Sequence, residues 1–164
     1  MEFCISVDPW FLSSNSTSSK MISLAREINN SMPNFVIKKA REMIKDIDEP
    51  VITIFGVAYK GNVDDTRETP AKKIIKLAEN EGFEVRCYDP HVNNFEYELY
   101  SMEEAVKNSD CIIIVTDHEC FKNIEPEEIC MHMRNANVLD TRNIIDEKEW
   151  KEKGFNIFVI GRRD

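Results

Sequence analysis

Apolar residues recur along the chain with two different periods, and the change from one to the other divides it. After an irregular start through Ser19, Met21, Ala25, Ile28, Met32 and Phe35 return every three or four residues. That spacing lines up one apolar seam on a helix. Pro33 has no amide hydrogen and crowds the turn before it, so a break is expected near Met32. A second helix then runs to about Asp46, with Val36, Ala40, Met43 and Ile47 turned inward. The first seam needs a partner, either the following domain or another copy of the chain.

From Pro50 onward strands and helices alternate. Val51 to Phe55 is β-branched and nearly all apolar, the pattern of a strand buried on both faces. Thr69 offers a helix N-cap and Pro70 suits the first helical position. Ala71, Ile74, Ile75 and Ala78 then share a face, and Gly82 ends the helix. Glu84 to Tyr88, Cys111 to Val115, Val138-Leu139 and Asn156 to Ile160 supply four more strands. Ser101 and Glu104 form a capping-box pair, and helical stretches surround Glu125 to Met133 and Asp146 to Lys153. This alternation predicts an α/β fold: a Rossmann-like, doubly wound parallel sheet preceded by a helical segment.

Composition narrows the classes of function. The 164 residues suit one domain, or one domain with an appendage, and 42% hydrophobic against 31% charged residues argues against wholesale disorder. The longest apolar run, Val51 to Ala58, is broken by Thr53 and Gly56, far short of the roughly 20 residues a bilayer span requires. The net charge is −9 with both signs mixed along the chain, which argues against nucleic acid as a partner. A small phosphorylated ligand needs only two or three well-placed cations. The five cysteines are odd in number and lack a CxxC, as expected of reduced thiols in a cytoplasmic protein. His118, Cys120, Cys130 and His132 do not have the spacing of paired zinc ligands, so no metal site is expected.

Ligands of doubly wound sheets sit at the carboxyl ends of the strands, which singles out two loops. The loop from Gly56 to Pro70 carries both charge signs and leads into a helix N-terminus. It is not GxGxxG, so it does not form the usual dinucleotide pyrophosphate cradle; a plain surface loop capped by Thr69-Pro70 is the alternative. Asp140-Thr141-Arg142-Asn143 follows the fourth strand. Arg142 either joins Lys60 in clamping a phosphate or sugar, or pairs with Asp140 or Asp146. At the other end of the chain, Cys4 precedes Asp8 by four residues, as a thiolate nucleophile with a nearby carboxylate would. A small core cysteine is the alternative there. Asp64-Asp65 lies too far from the first strand to be the acid cluster of a signalling receiver domain.

Together these segments carry a resemblance. Gly56-x-x-Tyr59-Lys60-x-x-x-Asp64-Asp65-x-Arg67-Glu68-Thr69-Pro70, then Tyr88-Asp89-Pro90, then Asp140-Thr141-Arg142-Asn143 occur in order. They are similar to signatures of the nucleotide-sugar 6-dehydrogenases, the family of UDP-glucose, GDP-mannose and UDP-N-acetylhexosamine dehydrogenases. Cys4-Ile5-x-Val7-Asp8-Pro9-Trp10-Phe11 resembles the catalytic-cysteine segment of the UDP-N-acetyl-mannosamine branch. The UDP-glucose branch usually has Pro-Lys-Asp at the place of Asp8-Pro9-Trp10.

The resemblance implies oxidation of a sugar C6 alcohol to a carboxylate in two hydride transfers to NAD. Cys4 matches the nucleophile that forms a thiohemiacetal and then a thioester, and Asp8 the carboxylate that assists proton transfer. Lys60 and Arg142 match residues that hold the UDP-sugar, with Tyr59 beside the nucleotide; in some members the arginine reaches a neighbouring subunit's site. Arg67 matches a position that reaches the NAD, which is bound mainly by an N-terminal GxGxxG domain lacking here. Residues 1–48 then correspond to the end of a central helical dimerisation domain and 49–164 to the UDP-sugar-binding domain. The expected protein is a cytoplasmic homodimer or higher homo-oligomer. The chain reads as a truncated or split product of a longer gene, with Glu2-Phe3 a cloning scar, and is expected to be inactive alone. UDP-glucose or UDP-N-acetylglucosamine as substrate, and a stand-alone non-catalytic UDP-binding module, are the alternatives.

Overall fold

The computed structural model describes residues 20–162; Cys4 and Asp8 lie outside them. Helix α1, Lys20–Met43, is one continuous element of 24 residues with Pro33 inside it. The break expected at Met32 does not occur. Pro33 leaves the carbonyl four residues earlier without its usual partner, at a cost of about 3 kcal/mol. The turns that follow offset this, because Pro33, Val36, Ile37 and Ala40 are buried and each large apolar side chain contributes about 1.5–3 kcal/mol on burial. Pattern alone does not reveal that anchorage. Met21, Leu24 and Ile28, at the other end, remain 82%, 57% and 56% exposed.

Five strands form one parallel sheet: β1 Val51–Phe55, β2 Glu84–Tyr88, β3 Cys111–Ile114, β4 Asn137–Asp140 and β5 Asn156–Val159, in the order β2-β1-β3-β4-β5. In register, Ile54 lies between Cys87 and Ile113. Helix α2, Pro70–Asn80, is capped by the Thr69 hydroxyl, which accepts the Ala71 amide. Helix α3, Met102–Val106, has the Ser101–Glu104 capping box. Helices α4, Pro126–His132, and α5, Glu147–Glu152, complete the crossovers, and a 3-10 turn at Glu119–Asn123, which no periodicity signals, follows β3.

Alternation along the strands separates two cores. Ile52, Ile54, Ile113 and Leu139 face α2 and the second half of α1 (Ile74, Ile75, Val36, Ala40). Phe55, Ile112, Ile114 and Val138 face the other layer, with Val106, Ile129 and Trp150. Crossovers on both faces make the sheet doubly wound, and its order reverses between β1 and β3. There the loops leaving the two strands run to opposite faces, which opens the sheet edge to a ligand.

Candidate functional site

The loop after β1 is built around positive φ and close approach. Gly56 has φ +86°, and its amide donates to the Tyr88 carbonyl at 2.8 Å. A Cβ on Gly56 would run into Thr116, whose hydroxyl donates to the Ala58 carbonyl at 2.8 Å. The Tyr59 amide donates to the Asp65 carbonyl at 2.7 Å, which closes the loop on itself. Tyr59 and Lys60 are thereby presented at the surface. Among the described residues no partner engages the Lys60 ammonium. Arg67 forks onto Asp65 through Nε at 2.9 Å and Nη2 at 2.7 Å. The side-chain and backbone hydrogen bonds of Arg67 bring the Asp65 carboxyl down to about 2.

Three loops meet at Asp117, just beyond β3. Arg142 Nη2 donates to the Asp117 Oδ1 at 3.0 Å, so the acid it pairs with is neither Asp140 nor Asp146, the alternative partners offered by sequence, but one 25 residues upstream. Gly61 also lies against Asp117, close on its backbone. Burial pushes the Asp117 carboxyl up, but the Arg142 charge and the amides of Asp117 and Gly61 outweigh it and leave it below the ordinary value. The chain neighbour of Lys60 and the guanidinium of Arg142 thus border one carboxylate.

Asp140 is fully buried and shapes the loop that carries Arg142. Its Oδ1 accepts the Arg142 amide at 2.8 Å, and its Oδ2 accepts those of Ile144 and Ile145 at 2.7 and 3.1 Å. Its carboxylate is therefore committed to backbone, which explains why the guanidinium turns elsewhere.

Asp89 does the same for the loop after β2 and reaches further. Its Oδ1 accepts the His91 and Val92 amides at 2.9 and 3.0 Å. Its Oδ2 accepts those of Val57 and Ala58 at 2.7 and 3.1 Å and meets His118 Nε2 at 3.0 Å. Burial opposes the charge, but the bonds from His118, His91 and Val57 prevail and hold the carboxyl at about 2. His118 Nδ1 in turn accepts the Asn62 amide at 2.9 Å.

Of the residues singled out by sequence, Tyr59, Lys60, Arg67 and Arg142 all stand on loops at the carboxyl end of the sheet. Asp89, Asp117 and His118 were given no role there. An acid directly after a strand is the signal that finds Asp89; Asp117, three residues beyond β3, has no such signal, and His118 has none because its partners are 29 and 56 residues away. No cluster of three or more potential metal ligands occurs among the described residues. Burial raises the Cys87 and Cys111 thiols to about 12, which removes both as nucleophiles. A shallow groove of ≈ 800 Å³ along α5 begins at Ile144 and Ile145, on the loop that carries Arg142, and includes Lys151 and Arg162, but both of these cations are paired with Glu147.

Comparison with known proteins places this site in context. Residues 53–147 match the family model for the UDP-binding domain of the UDP-glucose/GDP-mannose dehydrogenase family. A UDP-N-acetyl-D-mannosamine dehydrogenase of Methanocaldococcus jannaschii is 46% identical over 161 residues, covering 96% of this chain and 38% of that protein. The structure of the UDP-D-ManNAc dehydrogenase of Pyrococcus horikoshii superposes with a TM-score of 0.85 at 37% identity, covering 98% of this chain and 38% of the other. That of the UDP-N-acetyl-mannosamine dehydrogenase of Staphylococcus aureus gives 0.77 at 34% identity, covering 96% and 37%. The chain spans less than two fifths of the length of these relatives.

Proposed function

This chain belongs to the UDP-glucose/GDP-mannose dehydrogenase family, and from that membership we propose that it is the C-terminal portion of an NAD-dependent UDP-N-acetyl-D-mannosamine 6-dehydrogenase. Residues 49–164 are its UDP-sugar-binding domain, and residues 1–48 end a central helical domain. Tyr59 packs beside the nucleotide, and Lys60 and Arg142 hold the diphosphate. The observation that supports this most is the convergence on Asp117: Gly61, next to Lys60, abuts its backbone, and Arg142 bonds its carboxylate. The two crossover loops that carry these cations therefore meet at one stretch of sheet edge. The three relatives described above carry the mannosamine name, which favours that sugar over glucose or N-acetylglucosamine.

NAD accepts the hydrides when bound, and the described residues are poorly suited to cradle its pyrophosphate. The first helical amide of α2 is lost to Pro70, and the next is taken by the Thr69 hydroxyl, so this helix N-terminus offers little to an anion. Binding by the N-terminal part of the longer protein, with Arg67 as a contact from this domain, accounts for the cofactor. Cys4 is the nucleophile and Asp8 assists proton transfer. The exposed Met21, Leu24 and Ile28 on α1 are the face through which two copies of the chain associate in the cytoplasm.

Calorimetric titration of UDP tests the reading. Binding that is lost in Lys60→Ala and in Arg142→Ala is expected. UDP affinity unchanged in both variants would overturn it.

A further inference from the structure

We propose that His118 is a positioning residue for nucleotide binding, fixing through Nδ1 the loop tip that carries Tyr59 and Lys60. The inference rests on the reading of Lys60 as a diphosphate contact and identifies what holds that contact in place.

The loop is closed at its base by the Tyr59 amide on the Asp65 carbonyl and by Arg67 on Asp65, whereas the bonds at its tip reach the segment after β3. Asn62 stands at its tip with φ +61°, a left-handed conformation that asparagine tolerates but that needs outside support. Two hydrogen bonds supply it, one in each direction. The Asn62 amide donates to His118 Nδ1 at 2.9 Å, and the Asn62 Oδ1 accepts the Glu119 amide at 2.9 Å. A backbone amide can only donate, so Nδ1 carries no proton and Nε2–H faces Asp89 at 3.0 Å.

The imidazole is fully buried. The Phe121 ring meets it edge-on at 5.2 Å, and His91 lies 4.8 Å from it on another side. Asp89, which holds His118, also accepts the Val57 and Ala58 amides at the root of the same loop. Root and tip are thus joined through two side chains, Asp89 and His118, with Tyr59 and Lys60 between them. A long, exposed lysine gains little from a ligand if its backbone must be ordered on binding; a backbone already fixed removes that cost.

Two substitutions separate positioning from packing. In His118→Asn the Oδ1 falls near the place of Nδ1 and keeps an acceptor for Asn62. In His118→Gln the amide reaches toward Asp89 and leaves the Asn62 N–H without one. Both lose the ring, so both should melt at lower temperature, and stability does not discriminate between them. UDP titration of the folded chain should weaken about tenfold in His118→Gln, the loss of one well-placed hydrogen bond, and stay within about twofold of the parent in His118→Asn. Amide exchange at Asn62 should accelerate in the Gln variant alone. Equal UDP affinity in the two variants, or equal Asn62 exchange, overturns the inference. Failure of the unsubstituted chain to bind UDP overturns the proposed function itself, and the affinity role of His118 with it.

Discussion

Gly61 is packed so tightly on Asp117 that a Cβ built on the glycine would overlap the Asp117 carbonyl oxygen. The neighbour is backbone, with no flexible side chain to swing aside. The contact is also where the loop after β1 meets the residue that pairs with Arg142. The approach of the two loops therefore depends on the missing side chain at position 61.

Gly61→Ala should force the loops apart. The expected cost is about 1–3 kcal/mol of stability, the usual range for overpacking, read as a lower urea midpoint. UDP affinity should fall with it, because Lys60 moves with its neighbour. An unchanged midpoint would show that the loop yields freely.

Asp89 makes the fold sensitive to acid. Its carboxyl is held at about 2 against an ordinary 3.8, so the folded state favours the charged form. The contribution is complete above pH ~4 and is lost as the pH falls toward ~2, amounting to about 2 kcal/mol. The difference in stability between the parent and Asp89→Asn should therefore shrink over that interval. Denaturant melts at a series of pH values measure it, and a difference independent of pH would contradict the assignment.

The thiols divide by burial. Cys87 and Cys111 sit in the sheet core, where desolvation raises both to about 12, whereas Cys120 is exposed. With a chromogenic disulfide reagent at pH 8, Cys87 and Cys111 should react only after denaturant is added. Reaction of either in the folded chain would mean that β2 or β3 opens readily.

The apolar end of α1 gives a test of assembly. Ile28 is 56% exposed and outside the packed half of the helix, so Ile28→Asp should leave the single chain folded and lower the melting temperature only by the stability that association supplied, a concentration-dependent amount. Its mass by light scattering should fall from that of a dimer to that of a single chain. A parent protein that already runs as one chain would remove this face as a self-association surface.

Elements governed by neighbours along the chain are legible in the residue pattern alone. The bounds of β1 and β2, the Thr69 cap with Pro70 behind it and the Ser101–Glu104 capping box all depend on residues within a few positions of one another. The loops that carry Tyr59, Lys60, Arg67 and Arg142 follow from the same local pattern, because parallel strands deliver their crossover loops to one edge. What local pattern does not reach is distance along the chain. Pro33 stays helical because residues beyond it dock on the sheet. Arg142 turns to Asp117 because backbone amides already occupy Asp140. His118 joins Asp89 to Asn62 across separations of 29 and 56 residues. By itself, then, the sequence determined which residues form strands and helices and which loops reach the ligand edge, since periodicity and capping are short-range. Only the tertiary structure decided which charges neutralise one another and which side chain holds each loop, since those choices depend on where the folded sheet brings distant segments within hydrogen-bonding reach.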